Sequence, residues 1–353
     1  MKLITIPTLA DVHVHLREPG GTQKEDFETG TKAAVAGGYT QVLDMPNNTP
    51  PTISRKDLLD KQKLAKKRVW CDVGFNFGAS ISSIKYFKLV KKHAFALKVY
   101  MNQTTGTLLI ESQEDREQIF KAWNNTQPIM VHAEGETVET AINLAKKYNR
   151  KLHVCHVTHD QISSIKKAKK DGLFISCEVC PHHLFLSHKD IPKLGSFAMM
   201  KSPLLSEKDR KKLWGAMADI DMISTDHAPH TTGEKMDQSS LKYGVPGLET
   251  TLPLMLWAVK RKLISQNRLV QMLSENPRRI FNLPLQENTY LDVDTARKIN
   301  IGEKTLFTKC QWTPFKYLNG IGEIKRVVLR GNVIFENGKF IGKPSGKLIE
   351  PIN

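Results

Sequence analysis

Eight short apolar runs, each followed by a stretch with helical periodicity, set the tightest limit on what this chain can fold into. The runs are LADVHVHL (9–16), TQVLDMP (40–46), CDVGFNF (71–77), AFALKVY (94–100), PIMVHAE (128–134), KLHVCHV (151–157), FISCEVC (174–180) and MISTDHAP (222–229). Between them lie segments such as KEDFETGTKAAVAGG, RKDLLDKQKLAKK, SQEDREQIFKAW and ETVETAINLAKKY, whose apolar residues recur at helical spacing. Strands alternating with helices imply right-handed βαβ crossovers and a parallel sheet, and eight such units close into a (β/α)8 barrel. An open doubly wound sheet is the rival, but it does not bring eight strand ends to one place. Polar residues favour the barrel. His13, His15, Asn47, Lys98, His132, His156, Glu178 and Asp226 all stand at or near the carboxyl ends of these runs, the face where barrels keep their chemistry.

Beyond the eighth run, GLETTLPLMLWAVKRKL and SQNRLVQMLSENPRRIFNL read as helices that complete the barrel, which is placed at residues 1–284. Residues 285–353 change character. RVVLRGNVIFENGKFIG has strand-like pieces with turn signals at Gly331-Asn332 and Asn337-Gly338, so this segment is expected to form a small β appendage. No internal repeat or low-complexity tract interrupts the 353 residues.

A hydrophobic content of 40% suffices for a large core, and no apolar run nears the roughly 20 residues that cross a bilayer. The start, MKLITIPTLADVHVHL, lacks the layout of a signal peptide, so the expectation is a soluble, cytoplasmic protein. Net charge is +16. No zinc-finger, RNP or arginine-rich signature accompanies it, and the lysines are spread along helix faces. Specific nucleic-acid binding is therefore not expected, and a pull on anionic small molecules is. The five cysteines, Cys71, Cys155, Cys177, Cys180 and Cys310, are odd in number and do not suggest a disulfide framework. Cys177 and Cys180 form a C-x-x-C, but within a strand they point to opposite faces and read as buried small hydrophobes.

On a strand, His13 and His15 share one face and can grip a single metal. With His132, His156 and Asp226 at other strand ends, four imidazoles and a carboxylate suit a borderline divalent ion, zinc first. Lys98 is a lysine inside a strand run. As an ammonium it is no ligand, but a neutral amine can react with carbon dioxide to give a carbamate with two oxygens for two metals. On the residues alone, a lysine reaching out of the barrel mouth is the simpler reading.

The segments D-V-H-V-H-L-R-E-P-G, M-P-N, A-L-K-V-Y-M-N, V-H-A-E, C-H-V, C-E-V-x-P-H-H-L-F-L-S, D-H-A-P-H, P-G-L-E-T, N-P-R-R-I-F-N-L-P and W-T-P-F follow one another through nearly the whole chain. In this order they resemble the dihydroorotases of the amidohydrolase superfamily, and most of all the dihydroorotase domain of the animal multifunctional pyrimidine enzyme. The resemblance implies reversible cyclisation of N-carbamoyl-L-aspartate to dihydroorotate in pyrimidine synthesis. It implies two zinc ions, one on His13, His15 and Asp226 and one on His132 and His156, bridged by carboxylated Lys98, with Asp226 also the catalytic acid–base. It assigns Arg17, Asn47 and His230 to the substrate carboxylate, and Pro246 and Gly247 to the ring. Animal-type members also admit a third zinc on the positions of Cys155 and Glu178. A regular strand argues against it here, because Cys155 should then face away from His156. A homodimer and association with an aspartate carbamoyltransferase belong to the same resemblance.

The chain departs from the family in three places. In NQTTGTLL (102–109), which resembles the family's substrate-covering loop, Thr104 matches the substrate-touching threonine, but Thr105 stands where animal-type members carry phenylalanine. Lys201 occupies the place of a substrate-binding asparagine or arginine and cannot reproduce a bidentate contact. The N-terminal strands of relatives are missing, so the chain is expected to begin almost at the first barrel strand. The rival functions are a hydantoinase, dihydropyrimidinase or allantoinase using the same metal pair, and a catalytically dead barrel that assembles with a carbamoyltransferase.

Overall fold

A computed structural model describes residues 2–352. After a short strand, β1 (Leu3–Pro7), the eight apolar runs become β2 (Leu9–Val14), β3 (Tyr39–Asp44), β4 (Asp72–Gly78), β5 (Ala94–Tyr100), β6 (Ile129–His132), β7 (Leu152–Val154), β8 (Ile175–Val179) and β9 (Met222–Ile223). They pair in parallel in sequence order. A parallel bridge between Val14 and His227 closes the ring, with His15 N donating to His227 O at 2.8 Å. Every residue of the eight is buried, as a parallel sheet covered on both faces requires.

Two apolar layers account for that burial. Outward-facing Val42, Phe75, Leu97 and Val131 pack with helix residues such as Val35, Ile119, Phe120 and Ala141. Inward-facing Ala10, Val12, Leu43, Phe95, Ala96, Met130 and Met222 fill the barrel from below, and Phe281 and Ile349 join this inner cluster. The barrel is thus a packed core with an apolar floor, and its polar residues gather above that floor. Loops into the helices end on side-chain caps. Asp26 accepts from Thr29 N, Ser54 from Asp57 N and Thr231 from Glu234 N, satisfying amides that the first helical turn leaves free. No described helix is long and apolar enough to cross a membrane.

The remaining strands, β10 (Tyr290–Asn300), β11 (Asn319–Leu329), β12 (Asn332–Glu336) and β13 (Lys339–Phe340), form an antiparallel sheet in the order β1-β10-β11-β12-β13. This modifies the sequence expectation at both ends. Leu3–Pro7 is not a lead-in to the barrel but pairs with β10, Leu3 opposite Asp294. At the other end, Leu348 bridges Val73 and Ile349 packs in the barrel floor. The sheet is also tied down by Arg330, whose guanidinium donates to both oxygens of buried Asp72 at 3.0 and 2.8 Å. The turn at Asn337-Gly338 has both residues left-handed (φ 47° and 81°), the geometry a two-residue hairpin favours. The other turn falls on Arg330-Gly331, one residue earlier than expected, and Asn332 already begins β12.

Candidate metal centre

At the carboxyl end of the barrel, His13, His15, Lys98, His132, His156 and Asp226 line one cavity, together with Arg17, Asn47, Thr104, Thr105 and Lys201. The six groups come from β2, β5, β6 and the segments following β2, β7 and β9. Asp226 Oδ1 lies 3.2 Å from His13 Nε2 and 3.1 Å from His15 Nε2. Opposite them, His132 Nδ1 and His156 Nε2 approach to 2.8 Å. Lys98 is 1% exposed, and its ammonium donates to Cys155 Sγ at 2.8 Å. Among the described residues, no carboxylate lies within ion-pair distance of Lys98.

Three of these residues sit in left-handed backbone: Arg17 (φ 62°), His156 (φ 35°) and Asp226 (φ 45°). Such conformations cost roughly 1–2 kcal/mol for a residue with a Cβ, and they cluster where function requires a particular side-chain direction. At His156 the consequence is direct. Strand β7 ends at Val154, and the left-handed residue breaks the alternation, so Cys155 and His156 both face the cavity side. The expectation that Cys155 turns away from His156 is therefore corrected. Cys155, His13 and Glu178 bring ligand atoms within 4.8 Å of one another, as do His13, His15 and Asp226.

Burial and charge set the protonation of these groups. Burial pushes His132 down and His156 well down, and lowers His15 to about 4, so these three imidazoles are neutral, the form that binds metals. His13 differs. Burial and the Lys98 ammonium pull it down, but the carboxylates of Asp226 and Glu178 outweigh them and raise it to about 10. Burial works against the charge of Asp226, yet the His13 and His15 imidazoles hold its carboxyl well below the usual range. Glu178 accepts from His13 Nδ1 through one oxygen and faces His153 Nε2 at 3.1 Å through the other.

The donor set fits a pair of cations. Two nitrogens on one tetrahedral zinc stand about 3.3 Å apart, close to the His132–His156 approach. On the outer side of this pair, His132 Nε2 stands 3.2 Å from Glu134 Oε1, a contact that orients a ligating imidazole, while the outer nitrogen of His156, Nδ1, has no hydrogen-bond partner. His15 Nδ1 contacts Asn47 Oδ1 at 2.8 Å, the outer-nitrogen hydrogen bond that orients a ligating imidazole.

Beside this cluster lies a cationic wall. Arg17 Nε donates to Pro229 O at 3.0 Å, which fixes the guanidinium plane. His230 Nε2 lies 3.2 Å from Arg17 Nη2 and 3.0 Å from Tyr243 O, and serves one at a time as acceptor or donor. His230 is thus behind Arg17 and does not itself line the cavity. No carboxylate stands within ion-pair distance of Arg17 among the described residues. Pro246 and Gly247 do not line the cavity either. Tyr243 and Gly244 do, three residues earlier in the same loop. Gly247 instead donates its N–H to His227 Nδ1 at 3.2 Å. Asn47 Nδ2 donates to Thr105 O at 3.2 Å, tying the 102–109 loop to the site. Tyr100 was missed from sequence although it is two residues from Lys98 on one strand face, a spacing that points both side chains inward.

Comparison with known proteins agrees with this arrangement. The profile of the Amidohydrolase family matches residues 4–287. The chain is 44% identical to the multifunctional protein CAD of Squalus acanthias over 97% of its own length, and spans 15% of that relative. It is 35% identical to a dihydroorotase of Pyrococcus abyssi, covering 98% of this chain and 87% of that one. Its fold superposes on the L-hydantoinase (dihydropyrimidinase) of Arthrobacter aurescens with a TM-score of 0.92 at 24% identity, covering 98% of this chain and 89% of the other. With the barrel, the inward imidazoles and a profile match over most of its length, the chain belongs to the amidohydrolase family.

Proposed function

We propose that the chain is a dihydroorotase, closing N-carbamoyl-L-aspartate to dihydroorotate and reopening that ring by hydrolysis in de novo pyrimidine synthesis. The observation that carries the reading is the unpaired Arg17 guanidinium lining the same cavity as the His–Lys–Asp cluster. A cyclic amide bearing a carboxylate satisfies both at once.

In this reading His13, His15 and Asp226 would hold one zinc and His132 and His156 the other, with Lys98, carboxylated on Nζ, as a ligand they would share. A third zinc on His13, Cys155 and Glu178 is admitted by their convergence. When bound, such a pair would supply the Lewis acidity that lowers the pKa of water and polarises the ring carbonyl. Arg17 grips the substrate carboxylate with two parallel N–H donors, and Asn47 adds a donor from its amide. His230 acts through Arg17, holding its fork, and Thr104 and Lys201 lie along the rim. As water adds to the ring carbonyl and the C–N bond breaks, Asp226 accepts the water proton and returns it to the leaving nitrogen. In the synthetic direction the same carboxylate takes the proton from the attacking ureido nitrogen. Pro246 and Gly247 shape the site indirectly, through the loop that presents Tyr243 and Gly244.

A hydantoinase-type activity is the second reading, favoured by the superposition with L-hydantoinase. Hydantoins lack the carboxylate that Arg17 requires, which ranks this reading second. A dead barrel assembling with a carbamoyltransferase ranks lower, since all six proposed ligand positions carry competent donors. Association with an aspartate carbamoyltransferase draws support from the likeness to CAD, and a cytoplasmic location from five unpaired, buried cysteines. A homodimer rests on the family resemblance alone and is checked by light scattering. The test is zinc content and turnover of dihydroorotate, dihydrouracil and hydantoin by one purified sample. Faster turnover of either uncharged ring would overturn the substrate assignment.

A further inference from the structure

A second group of ligand-type side chains lies outside the cavity. Strand β8 ends at Val179, Cys180 continues in extended backbone, and Pro181 starts the short helix Pro181–Phe185. This turn points Cys180, His182 and His183 toward one another, with ligand atoms within 4.8 Å and ring centroids 4.4 Å apart. All three are at most 1% exposed, and none lines the cavity of the metal centre.

The hydrogen bonding at this cluster is incomplete. His183 Nε2 donates to Ser202 O at 3.0 Å, so in the neutral ring Nδ1 carries the lone pair. That Nδ1 has no partner, and neither has His182 Nε2. Burial lowers His183 and drives His182 well down, so both rings are neutral. No hydrogen bond from the Cys180 thiol reaches either nitrogen. Two buried ring nitrogens, one of them a lone pair, are left unpartnered beside a soft sulfur, where buried polar atoms are normally satisfied. A divalent cation satisfies all three at once, and one sulfur with two imidazoles is a combination zinc favours. The Ser202 carbonyl on the outer nitrogen of His183 is the kind of contact that orients a metal-ligating histidine.

We propose that Cys180, His182 and His183 form a separate site for a single zinc-type divalent ion, with three protein ligands and one further position. On binding, the thiol gives up its proton to solvent and the sulfur becomes the thiolate ligand. Because His183 is bonded to Ser202, next to the cavity residue Lys201, the ion steadies the 200–202 segment at the rim. The site does not depend on which amide the enzyme opens.

The test uses the whole chain freed of metal with a chelator and reloaded with cobalt(II) alone. A thiolate–cobalt charge-transfer band in the near ultraviolet is expected. Cys180→Ser should lose that band and one bound ion per chain, while Cys155→Ser keeps the share due to Cys180. Since a substituted core turn can misfold, crystals of the wild-type protein loaded with zinc provide a second readout. An anomalous peak between Cys180, His182 and His183 is expected. A cobalt band unchanged in Cys180→Ser, or a water with no anomalous signal at that position, overturns the proposal.

Discussion

Replacing Arg17 by lysine keeps the positive charge but removes the fork. In the structure Arg17 Nε is committed to Pro229 O at 3.0 Å, leaving the terminal nitrogens for a substrate carboxylate. Lysine loses the Pro229 anchor and one of two parallel charge-assisted hydrogen bonds, each worth about 1.5–3 kcal/mol. That corresponds to a fall of roughly 10- to 150-fold in kcat/KM for dihydroorotate. Arg17→Met removes the charge as well and should fall further. The assay is steady-state turnover of dihydroorotate beside dihydrouracil, which has the ring amide and no carboxylate. Both variants should lose dihydroorotate turnover while their slow dihydrouracil rate stays within a few-fold of wild type. Equal losses on the two rings would mean that Arg17 serves the architecture of the site and not the carboxylate, and the substrate assignment would lose its basis.

Two other residues have calculable consequences. Lys235 is 1% exposed and donates to three carbonyls, Met199 O and Lys242 O at 2.9 Å and Gly244 O at 3.2 Å, stapling the loop that carries Tyr243. Lys235→Met leaves buried carbonyls unpaired at about 1–3 kcal/mol each before relaxation. Urea unfolding should shift to lower concentration, and KM should rise more than kcat; an unchanged KM would dissociate the staple from substrate binding. Glu249 is 3% exposed and accepts from Phe307 N and Thr308 N, yet burial raises its carboxyl to about 7 from the usual 4.5. The folded chain therefore holds a proton there that the unfolded chain releases, so this group's contribution to stability is greatest below pH 4.5 and is lost as pH rises through about 7. The loss is on the order of 3 kcal/mol. Relative to Glu249→Gln, the wild type should be more stable in unfolding titrations at pH 5 than at pH 8, and a pH-independent difference would contradict the burial argument.

Much of the site was readable because strands alternate. His13 and His15, two apart, must share a face, and runs ending in His132 and Lys98 place those groups at one end of a barrel. Where the backbone leaves the strand the alternation gives no guidance. Nothing in the string C-H-V announces that His156 turns left-handed and so joins Cys155 on the inward side. Loop residues were read least well. Tyr243 and Gly244, not Pro246 and Gly247, reach the cavity, because a staple from Lys235, distant from any periodic pattern, sets the loop's path. The pairing of β1 with β10 was likewise invisible, since it joins Leu3 to Asp294 across almost the whole chain.

Diffraction from zinc-loaded crystals on both sides of the zinc absorption edge examines the metal pair and its bridge together. Two anomalous peaks should appear inside the ring of His13, His15, Lys98, His132, His156 and Asp226, with branched density extending from the Lys98 amine between them. A bare amine with no anomalous scatterer in that ring would contradict the two-metal hydrolase.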